Sequence, residues 1–406
     1  MGLDDAGQAG SAQGAAGAAR PLVAFDATAI PNDRSGVGRY VEEVLRALDA
    51  TGHAVTIICQ ESDVERFTRL CPSSPIIGIP GVRGRLKRLT WEQLGLSRRA
   101  RKAGARLIHS PHYTVPVFTR RRRVVTFHDA TFFSQPEAHT RFKRVFFPAW
   151  IRLSRRLADR VLVVSAATAS ELDRYVRPLP QHPYTVVRLG VDHDRFRPSD
   201  PAVIEEMRQR LGLPERWIAF LGTIEPRKNV PALIDAYAAS ARRWRGDPEA
   251  FPALALAGAD GWEQDITPHI ERVPAPGRVM RLGYLDLDDL APYLGGSQFV
   301  VYPSIAEGFG LPVIEAMACG AAVLTTPRLS IPEVAGDAAH YTEPDADSIS
   351  WAIDTLLADD ELRADLGRRG LERAAGFTWA ACADGHRAVW DEVLRAHRRD
   401  VDRELA

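Results

Sequence analysis

The chain has 406 residues, and its 52 basic and 52 acidic residues cancel to a formal net charge of zero. The first 200 residues carry 31 Lys and Arg against 19 Asp and Glu, which leaves 21 against 33 in the remainder, so the two parts have net charges of +12 and −12. A composition of 45% hydrophobic and 26% charged residues is typical of a globular protein, and the length predicts two or three domains.

Several protein classes are excluded at this point. No apolar run approaches the roughly 20 residues that span a bilayer. Residues 1–20 lack the apolar core of a signal peptide and are expected to be a disordered tail. The four cysteines form no C-x-x-C pair, so we expect free thiols, a cytoplasmic protein and no metal site.

The predicted elements of the first half alternate between strands and helices. Residues 21–197 contain the β-rich runs PLVAFDAT, TGHAVTIICQ, ARLIHSPH, RRVVTFHDATFF, DRVLVVSAAT and PYTVVRLGVD. Helical stretches separate most of them, including RYVEEVLRALDA and Thr140–Arg160. This alternation predicts a parallel sheet with helices on both faces.

The alternation restarts after a polar connection near residue 200. The runs WIAFLGTIE, PALALAGAD, GRVMRLGYL, SQFVVYPS and AAVLTTP predict a second sheet within residues 198–375. Residues 376–406 are predicted to be a helix that packs back toward the first domain. The predicted fold class is therefore α/β, with two Rossmann-like doubly wound domains facing across a cleft. Ligands bind outside the carboxyl ends of parallel strands, so we expect the site in that cleft.

The most informative segment is YPSIAEGFGLPVIEAMACG, residues 302–320. A strand ends here, a glycine-rich turn follows, and a helix begins near Leu311. Exposed amides and the helix dipole at such a turn favour an anion such as phosphate. Glu307 and Glu315 flank the turn, and carboxylates accept hydrogen bonds from sugar hydroxyls. The spacing alone favours exposed acids at a helix start that interact with the helix dipole.

This segment resembles the Glu–seven–Glu motif of retaining GT-B glycosyltransferases of family 4. The resemblance continues in LGTIEPRKNVPALIDAYA, RLGYLDLDDLAPYLGGSQFVVYPS and SIPEVAGDAAHYTEPD. It is weaker in the first half, through SGVGRYVEEVL, FHDATFF and VLVVSAATASEL. The resemblance implies a GT-B fold whose first domain binds the acceptor and whose second domain holds a nucleotide-sugar donor.

The resemblance also implies individual roles. Glu315 would bind the ribose hydroxyls of the donor, and Glu307 would contact the donor sugar near C3. Lys228 matches the lysine that binds the diphosphate, and Arg227 is expected to add a second positive charge because Thr223 stands where many relatives have Arg. His128 would contact a donor hydroxyl or the reaction centre. Further donor contacts are expected at Gly36, Gly38, Gly222, Tyr284, Gly308, Phe309, Gly310 and Leu311.

Two neighbours of these motifs have alternative roles. Asp129 is expected either to orient His128 or to bind acceptor. Ser165 begins VSAATASEL and is expected to cap a helix rather than to touch acceptor.

The expected function is transfer of a hexose from a nucleoside-diphosphate sugar to a hydroxyl of a glycan, a lipid-linked glycan or a small molecule, with retention and without a metal or other cofactor. GDP-mannose is the first expected donor because the IEPRKN version of the loop is common among mannosyltransferase-like relatives, and UDP-glucose or another UDP-hexose is the alternative.

A non-catalytic nucleotide-sugar-binding protein is the second interpretation of the sequence. A dehydrogenase is disfavoured because neither half contains G-x-G-x-x-G, and a glycosidase would not need the Arg227 and Lys228 pair.

Basic clusters lie at residues 83–106, 120–123 and 141–160, and the first contains interleaved Leu86, Leu89, Trp91, Leu94 and Leu96. They predict either peripheral contact with an anionic membrane, on its inner face, or solvated helix faces. No recognition motif accompanies the charge, so nucleic acid is not an expected partner.

Overall fold

The chain is described by a computed structural model that covers residues 21–30, 36–82, 84–180, 182–261 and 265–405. Side-chain surroundings are described as far as Ala396, with Ala138 excepted. The expected disordered tail at 1–20, residues 31–35 of the first loop and Arg83 lie outside these ranges. Within them, no helix is both long and apolar enough to cross a membrane.

Seven strands of the first half form one parallel sheet in the order β3-β2-β1-β4-β5-β6-β7. They are β1 (Val23–Asp26), β2 (Thr56–Gln60), β3 (Ile76–Ile79), β4 (Leu107–Ser110), β5 (Arg122–Phe127), β6 (Arg160–Val163) and β7 (Tyr184–Val186). The helices of this half are α1 (Val37–Ala50), α2 (Val64–Leu70), α3 (Arg85–Trp91), α4 (Ser97–Lys102), α5 (Thr131–Ser134), α6 (Arg141–Leu157) and α7 (Ala166–Tyr175). A π-helical segment, Glu92–Leu96, joins α3 to α4.

Six strands of the second half form another parallel sheet in the order β10-β9-β8-β11-β12-β13. They are β8 (Trp217–Leu221), β9 (Ala253–Ala257), β10 (Val279–Gly283), β11 (Val300–Tyr302), β12 (Val323–Thr325) and β13 (His340–Tyr341). The helices of this half are α8 (Pro201–Arg210), α9 (Val230–Arg243), α10 (Thr267–Glu271), α11 (Leu290–Gly295), α12 (Leu311–Ala318), α13 (Ile331–Ala335), α14 (Ala346–Ala358) and α15 (Asp360–Ala374). The chain ends in α16 (Trp379–Leu405).

The predicted α/β class with two doubly wound sheets is confirmed. Central strands such as β1 and β9 are buried along their whole length, which explains their continuous apolar sequences. Strands β3 and β13, which lie at sheet edges, were not predicted from the sequence.

The chain passes between the two halves at two adjacent places. The Val191 N–H donates to the Phe377 carbonyl at 3.1 Å, and Val191 forms a parallel bridge with Thr378. After the second passage, α16 returns to the first half and packs against α1 and β5.

Strand order reverses between β1 and β4 in the first sheet and between β8 and β11 in the second. Such switch points are where open parallel sheets bind ligands. The segments that leave β1, β5, β8 and β11 at their carboxyl ends contain most of the residues singled out from the sequence.

Candidate active site

A cavity of about 650 Å³ lies between the two halves and is lined by both. Most site residues predicted from the sequence line it: Gly36, His128, Gly222, Arg227, Lys228, Tyr284, Glu307, Gly308, Phe309, Gly310, Leu311 and Glu315. Gly38 differs, because it is buried in the first turn of α1 and is not among the lining residues.

Glu307 is buried in the loop between β11 and α12. Its Oε1 accepts hydrogen bonds from Lys228 Nζ at 2.7 Å, Ser304 Oγ at 2.6 Å and the Tyr302 hydroxyl at 2.9 Å. Its Oε2 accepts from the Arg227 guanidinium at 2.6 Å. Lys228 Nζ also donates to the Tyr302 hydroxyl. One carboxylate therefore holds two cations at the edge of the cavity.

The pKa values of this cluster reflect its burial and its charges. Burial alone would raise the pKa of Glu307, but the charges of Arg227 and Lys228 and the hydrogen bonds that Glu307 accepts lower its pKa to about 2. Glu307 is therefore ionised at neutral pH. Burial also lowers the pKa of Lys228, and the charge of Arg227 adds to that effect. The pKa of Arg227 is raised, because Glu307 and Glu225 outweigh its burial; Glu225 lies 2.5 Å from the guanidinium.

Local backbone geometry joins the GTIEPRKN and EGFG loops. Asn229 adopts a left-handed conformation with φ of 59° and ends the short turn that carries the two cations. The Arg227 carbonyl then accepts from the Ile305 N–H and the Ser304 hydroxyl, both at 2.9 Å. The two loops thus position each other.

The turn before α12 depends on Gly310, which has a φ of +100° and whose added Cβ would lie 2.7 Å from Ile331. The Ser330 hydroxyl contacts two carbonyls of this turn, those of Glu307 at 2.8 Å and Phe309 at 3.0 Å. The first amides of a helix have no intrahelical acceptor, and here the helix N-terminus borders the cavity. This arrangement suits an anion.

Gly308 packs closely against the backbone of the first half. A Cβ added there would lie 1.8 Å from the His128 carbonyl oxygen. The Gly308 carbonyl accepts hydrogen bonds from Ser165 Oγ at 2.7 Å and Thr168 Oγ1 at 3.1 Å. Ser165 also accepts from the Thr168 N–H at 3.0 Å, which confirms its predicted role as the cap of α7.

His128 follows β5, and its ring is held in one tautomer. Its Nε2 lies 2.7 Å from the Pro111 carbonyl, which can only accept, so Nε2 carries the hydrogen. Burial lowers the pKa of His128, so the ring is neutral and Nδ1 is left as an acceptor. Tyr40 packs edge-on to the ring at 4.9 Å between centroids. Asp129 accepts from the Thr131 N–H at 3.0 Å and its hydroxyl at 2.7 Å, and so caps the start of α5.

An ion pair crosses the cavity between the halves. The Arg39 guanidinium, on α1, pairs with the buried Glu315 carboxylate, on α12. The Arg39 guanidinium also lies over the Phe196 ring, 5.7 Å from its centroid. The charge of Glu315 is the main reason why the pKa of Arg39 is raised.

A buried chain of hydrogen bonds ties α16 to the strands and helix beside His128. Because the Trp390 indole donates to His109 Nδ1 at 2.9 Å, His109 must carry its hydrogen on Nε2 and donate to Thr126 at 3.0 Å. At the other end, His386 Nδ1 donates to the Cys382 carbonyl at 2.8 Å, so its Nε2 accepts from the Tyr40 hydroxyl at 2.8 Å. Thr126 then donates to Tyr40 at 2.9 Å, and all the bonds run in one direction.

Both histidines of that chain must be neutral for it to form. Burial lowers the pKa of His386 to about 4 and lowers the pKa of His109 well below its usual range. The chain is therefore intact at neutral pH.

The sequence analysis did not single out Arg39, Tyr302, Ser304 or Ser330. Three of these residues have hydroxyls that contact the Glu307 side chain or its carbonyl. Their positions in the sequence could have indicated three of them. Arg39 comes directly after the SGVG loop, and Tyr302 and Ser304 lie at the end of a strand. Among the described residues, no group of three or more His, Cys, Asp or Glu could hold a metal ion.

Two doubly wound parallel sheets with a cation-bearing cleft at their switch points define a GT-B glycosyltransferase. Residues 34–195 match the family model described as "Glycosyltransferase Family 4", and residues 203–373 match "Glycosyl transferases group 1". The chain belongs to glycosyltransferase family 4. Membership of this family excludes the two alternatives considered from the sequence, a dehydrogenase and a glycosidase.

The chain is similar to two curated proteins of Escherichia coli. It is 35% identical over 280 residues to O-antigen chain mannosyltransferase B, covering 68% of this chain and 71% of that protein. It is 29% identical over 231 residues to the serotype-specific mannosyltransferase WbdA, covering 56% of this chain and 28% of WbdA. Among solved structures, Anabaena HepE in complex with UDP and glucose superposes with a TM-score of 0.74 at 19% identity, covering 91% of this chain and 99% of HepE. At that identity the superposition shows the shared fold alone.

Proposed function

We propose that the chain transfers a hexose from a nucleoside-diphosphate sugar to a hydroxyl group, with retention of the anomeric configuration. Mannose is the sugar that we propose first. The observation that carries this proposal is the cluster of Glu307, Arg227 and Lys228 beside the N-terminus of α12. Similarity to O-antigen chain mannosyltransferase B supports GDP-mannose as the donor. The UDP and glucose bound to HepE make a UDP-hexose the alternative donor.

The leaving group in such a reaction is a nucleoside diphosphate, whose negative charge grows as the glycosidic bond breaks. Arg227, Lys228 and the first amides of α12 are proposed to hold this group. Preorganised charges and amides at the point where charge develops lower the barrier. We infer that the reaction needs no divalent ion, because the cationic side chains that line the cavity, Lys143 and Arg195 of the first half among them, supply the positive charge that an ion would supply elsewhere.

Glu307 is proposed to lie against the donor sugar near C3. As a carboxylate at neutral pH, it would accept a hydrogen bond from a sugar hydroxyl and stabilise positive charge developing at the reacting carbon. Nδ1 of His128, a residue of the first half that lines the cavity, is proposed to accept a hydrogen bond from another sugar hydroxyl. Glu315 is proposed to accept hydrogen bonds from the two ribose hydroxyls. These bonds would replace the ion pair that Glu315 forms with the Arg39 guanidinium in this structure.

The proposed route is front-face displacement. The acceptor oxygen forms a bond to the anomeric carbon on the face from which the phosphate departs. The hydroxyl proton passes to an oxygen of the leaving phosphate, so no separate base is required. In this scheme residues 21–197 bind the acceptor, residues 198–375 bind the donor, and residues 376–406 join the two.

The first experiment is a donor panel read by thermal shift, with GDP-mannose, UDP-glucose and other nucleotide sugars, followed by NMR of the product. We expect GDP-mannose to give the largest shift and an α-linked product from the α-linked donor. No shift with any nucleotide sugar would contradict the proposal, and an inverted product would contradict retention.

The second experiment is Glu307→Gln, which removes the charge and keeps the shape. We expect at least a tenfold loss of transfer rate, or about 1.4 kcal/mol in the barrier. Glu343→Gln is the matched control, because Glu343 is also paired with an arginine, Arg328, but does not line the cavity. An unchanged rate in Glu307→Gln would remove Glu307 from the mechanism.

One observation favours a second candidate, a non-catalytic nucleotide-sugar-binding protein. Thr223 lines the cavity at the position where many relatives have a second cationic side chain. Nucleotide-sugar binding by purified protein, without transfer to any hydroxyl acceptor or to water, would support that candidate.

A further inference from the structure

The first turn of α7 takes part of its hydrogen bonding from the other half of the chain. The first amides of a helix have no acceptor within the helix and need one from elsewhere. In α7 the Thr168 N–H is satisfied locally, by Ser165 Oγ. The Ala166 N–H instead donates to Glu333 Oε2 at 2.7 Å, and the Ala167 N–H reaches the same oxygen at 3.4 Å. Two of the first three amides of α7 therefore have their acceptor on the second half.

Charge favours this contact as well as hydrogen bonding. The N-terminus of a helix carries partial positive charge, so a carboxylate placed there is stabilised. The other oxygen of Glu333, Oε1, accepts from Arg188 Nε at 2.8 Å, and Arg188 also belongs to the first half. The Glu333 side chain is only 14% exposed, so solvent screens these interactions in part. Both oxygens of one carboxylate from the second half thus bind the first half.

Glu333 lies on α13, which also supports the turn that carries Glu307. Ser330 directly precedes α13, and its hydroxyl donates to the carbonyls of Glu307 and Phe309 at 2.8 and 3.0 Å. Three residues, less than one helical turn, separate Ser330 from Glu333. One short piece of backbone therefore connects the acceptor of the α7 amides to the loop of Glu307.

The α13 helix is held firmly within the second half. Its residues Ile331 and Val334 are buried. Arg373, on α15, donates from Nε to the Val334 carbonyl at 2.9 Å and from Nη2 to the Glu333 carbonyl at 2.6 Å. The Arg373 guanidinium also lies over the ring of Phe377, 5.2 Å from its centroid, where the chain passes back to the first half. Because α13 is fixed in this way, Glu333 can move relative to α7 only if the second half moves with it.

We propose that Glu333 is a positioning residue that sets how the first half lies against the loop of Glu307. The Gly308 carbonyl also reaches the first turn of α7, where it accepts from Ser165 and Thr168. This carbonyl and the Glu333 carboxylate come from two separate segments of the second half. Two points of attachment resist a rotation of α7 that a single point would allow.

The use of this contact rests on the proposed function. His128 belongs to the first half and Glu307 to the second, and both line the cavity. In the proposed enzyme both contact the donor sugar, so the transfer rate depends on the distance between them. Glu333 is not among the residues that line the cavity. It acts on the rate only through the placement of the two halves.

Glu333→Ala tests the proposal on the full chain, with Asp345→Ala as its matched control. Asp345 caps α14 by accepting from the Ser348 N–H at 2.9 Å, so the control removes a capping carboxylate that bonds within the second half. Because a misplacement of about 1 Å can cost about a hundredfold in rate, we expect Glu333→Ala to lower kcat by about tenfold or more. The donor KM should rise by a smaller factor, and Asp345→Ala should keep the kcat of the unchanged chain.

Two further variants separate the parts of the contact. Glu333→Gln keeps one oxygen that can accept from the Ala166 N–H but loses the charge, so its kcat should lie between those of Glu333→Ala and the unchanged chain. Arg188→Gln removes the ion pair and leaves the carboxylate on α7, so it should have less effect than Glu333→Ala. Unchanged kcat in Glu333→Ala, or an equal loss in Asp345→Ala, would overturn the proposal. Should Glu333→Ala not fold, unchanged kcat in Glu333→Gln would overturn it instead.

A distance measurement separates the positioning role from the proposed function. Spin labels on Arg174→Cys of α7 and Glu361→Cys of α15 occupy exposed positions on the two halves, whereas Cys59, Cys71, Cys319 and Cys382 are buried. By double electron–electron resonance we expect a broader distribution of label distances in Glu333→Ala than in the unchanged chain or in Asp345→Ala.

The distance measurement needs no substrate and therefore decides the role of Glu333 whatever the reaction is. Equal distributions in the three proteins would overturn the positioning role, even if transfer is observed. Absence of transfer by the unchanged chain, together with a broader distribution in Glu333→Ala, would count against the proposed function and leave the positioning role supported.

Discussion

Replacing Gly308 with alanine is the sharpest test of how the two halves meet. The added Cβ would lie 1.8 Å from the His128 carbonyl oxygen, whereas real Cβ atoms essentially never come within 3.0 Å of such an atom. The two backbones must therefore separate by at least about 1.2 Å, since neither is a flexible side chain that could turn aside.

The separation affects the site directly, because His128 and Glu307 stand on its two sides. It also stretches the hydrogen bonds from Ser165 and Thr168 to the Gly308 carbonyl. A misplacement of about 1 Å between reacting groups can cost about a hundredfold in rate. We expect a loss of that order in transfer rate. Donor affinity should fall less, because the proposed contacts with the ribose and the sugar, Glu315 and Glu307, both lie on the second half.

The assay is steady-state transfer with the donor that the panel identifies, alongside calorimetric measurement of donor binding. Gly376→Ala is the control, since its added Cβ would lie 3.6 Å from the nearest atom, an ordinary contact. A Gly308→Ala enzyme with an unchanged rate would refute the reasoning, because the site would then tolerate separation of the halves at this contact.

Three other changes test separate parts of the site. Glu315→Ala should weaken donor binding at least tenfold by calorimetry, about 1.4 kcal/mol, because the proposed ribose acceptor is lost; unchanged affinity would remove Glu315 from that role. His386→Gln should reduce the pH dependence of stability, measured by hydrogen exchange of α16 amides at pH 7 and pH 5. The pKa of His386 is about 4 in the folded chain and 6.5 in the unfolded chain, so the unfolded chain binds the proton first as the pH is lowered. Lowering the pH from 7 to 5 should therefore reduce the free energy of unfolding by about 2 kcal/mol through this group. An equal loss of stability in the unchanged chain and in His386→Gln would contradict this. Transfer should persist in excess EDTA, and its loss with recovery on adding magnesium or manganese would contradict the inferred metal independence.

The fold was predictable where sequence patterns are local. Buried strands such as β8 and β9 are continuous apolar runs bounded by turns, and the glycine-rich turn before α12 is visible in its letters. The edge strand β3 is four residues long and only partly buried, and β13 is two residues long, so neither has the apolar run that identifies a strand.

The candidate site was predictable as a set of motifs but not as a set of contacts. Glu307 and Lys228 were identified from their loops, yet nothing local indicates that one oxygen of Glu307 accepts three hydrogen bonds. The pairing of Arg39 with Glu315 joins residues 276 positions apart. Gly38 belongs to the matching motif, yet it is buried in the first turn of α1 and does not line the cavity.

The charge cancellation in the whole chain has a counterpart inside the cleft. Arg227 and Lys228 belong to the acidic half, and Glu225 and Glu307 pair with them, so this group of four brings no net charge to a bound diphosphate. The positive charge that balances the diphosphate must therefore come from other residues of the cavity wall. The first half supplies such charge, because Lys143 and Arg195 line the cavity. Binding of a diphosphate on the second half is therefore favoured when the basic half is close. In the proposed enzyme the donor itself would draw the two halves together, because the excess charge of +12 on the first half attracts the anionic diphosphate.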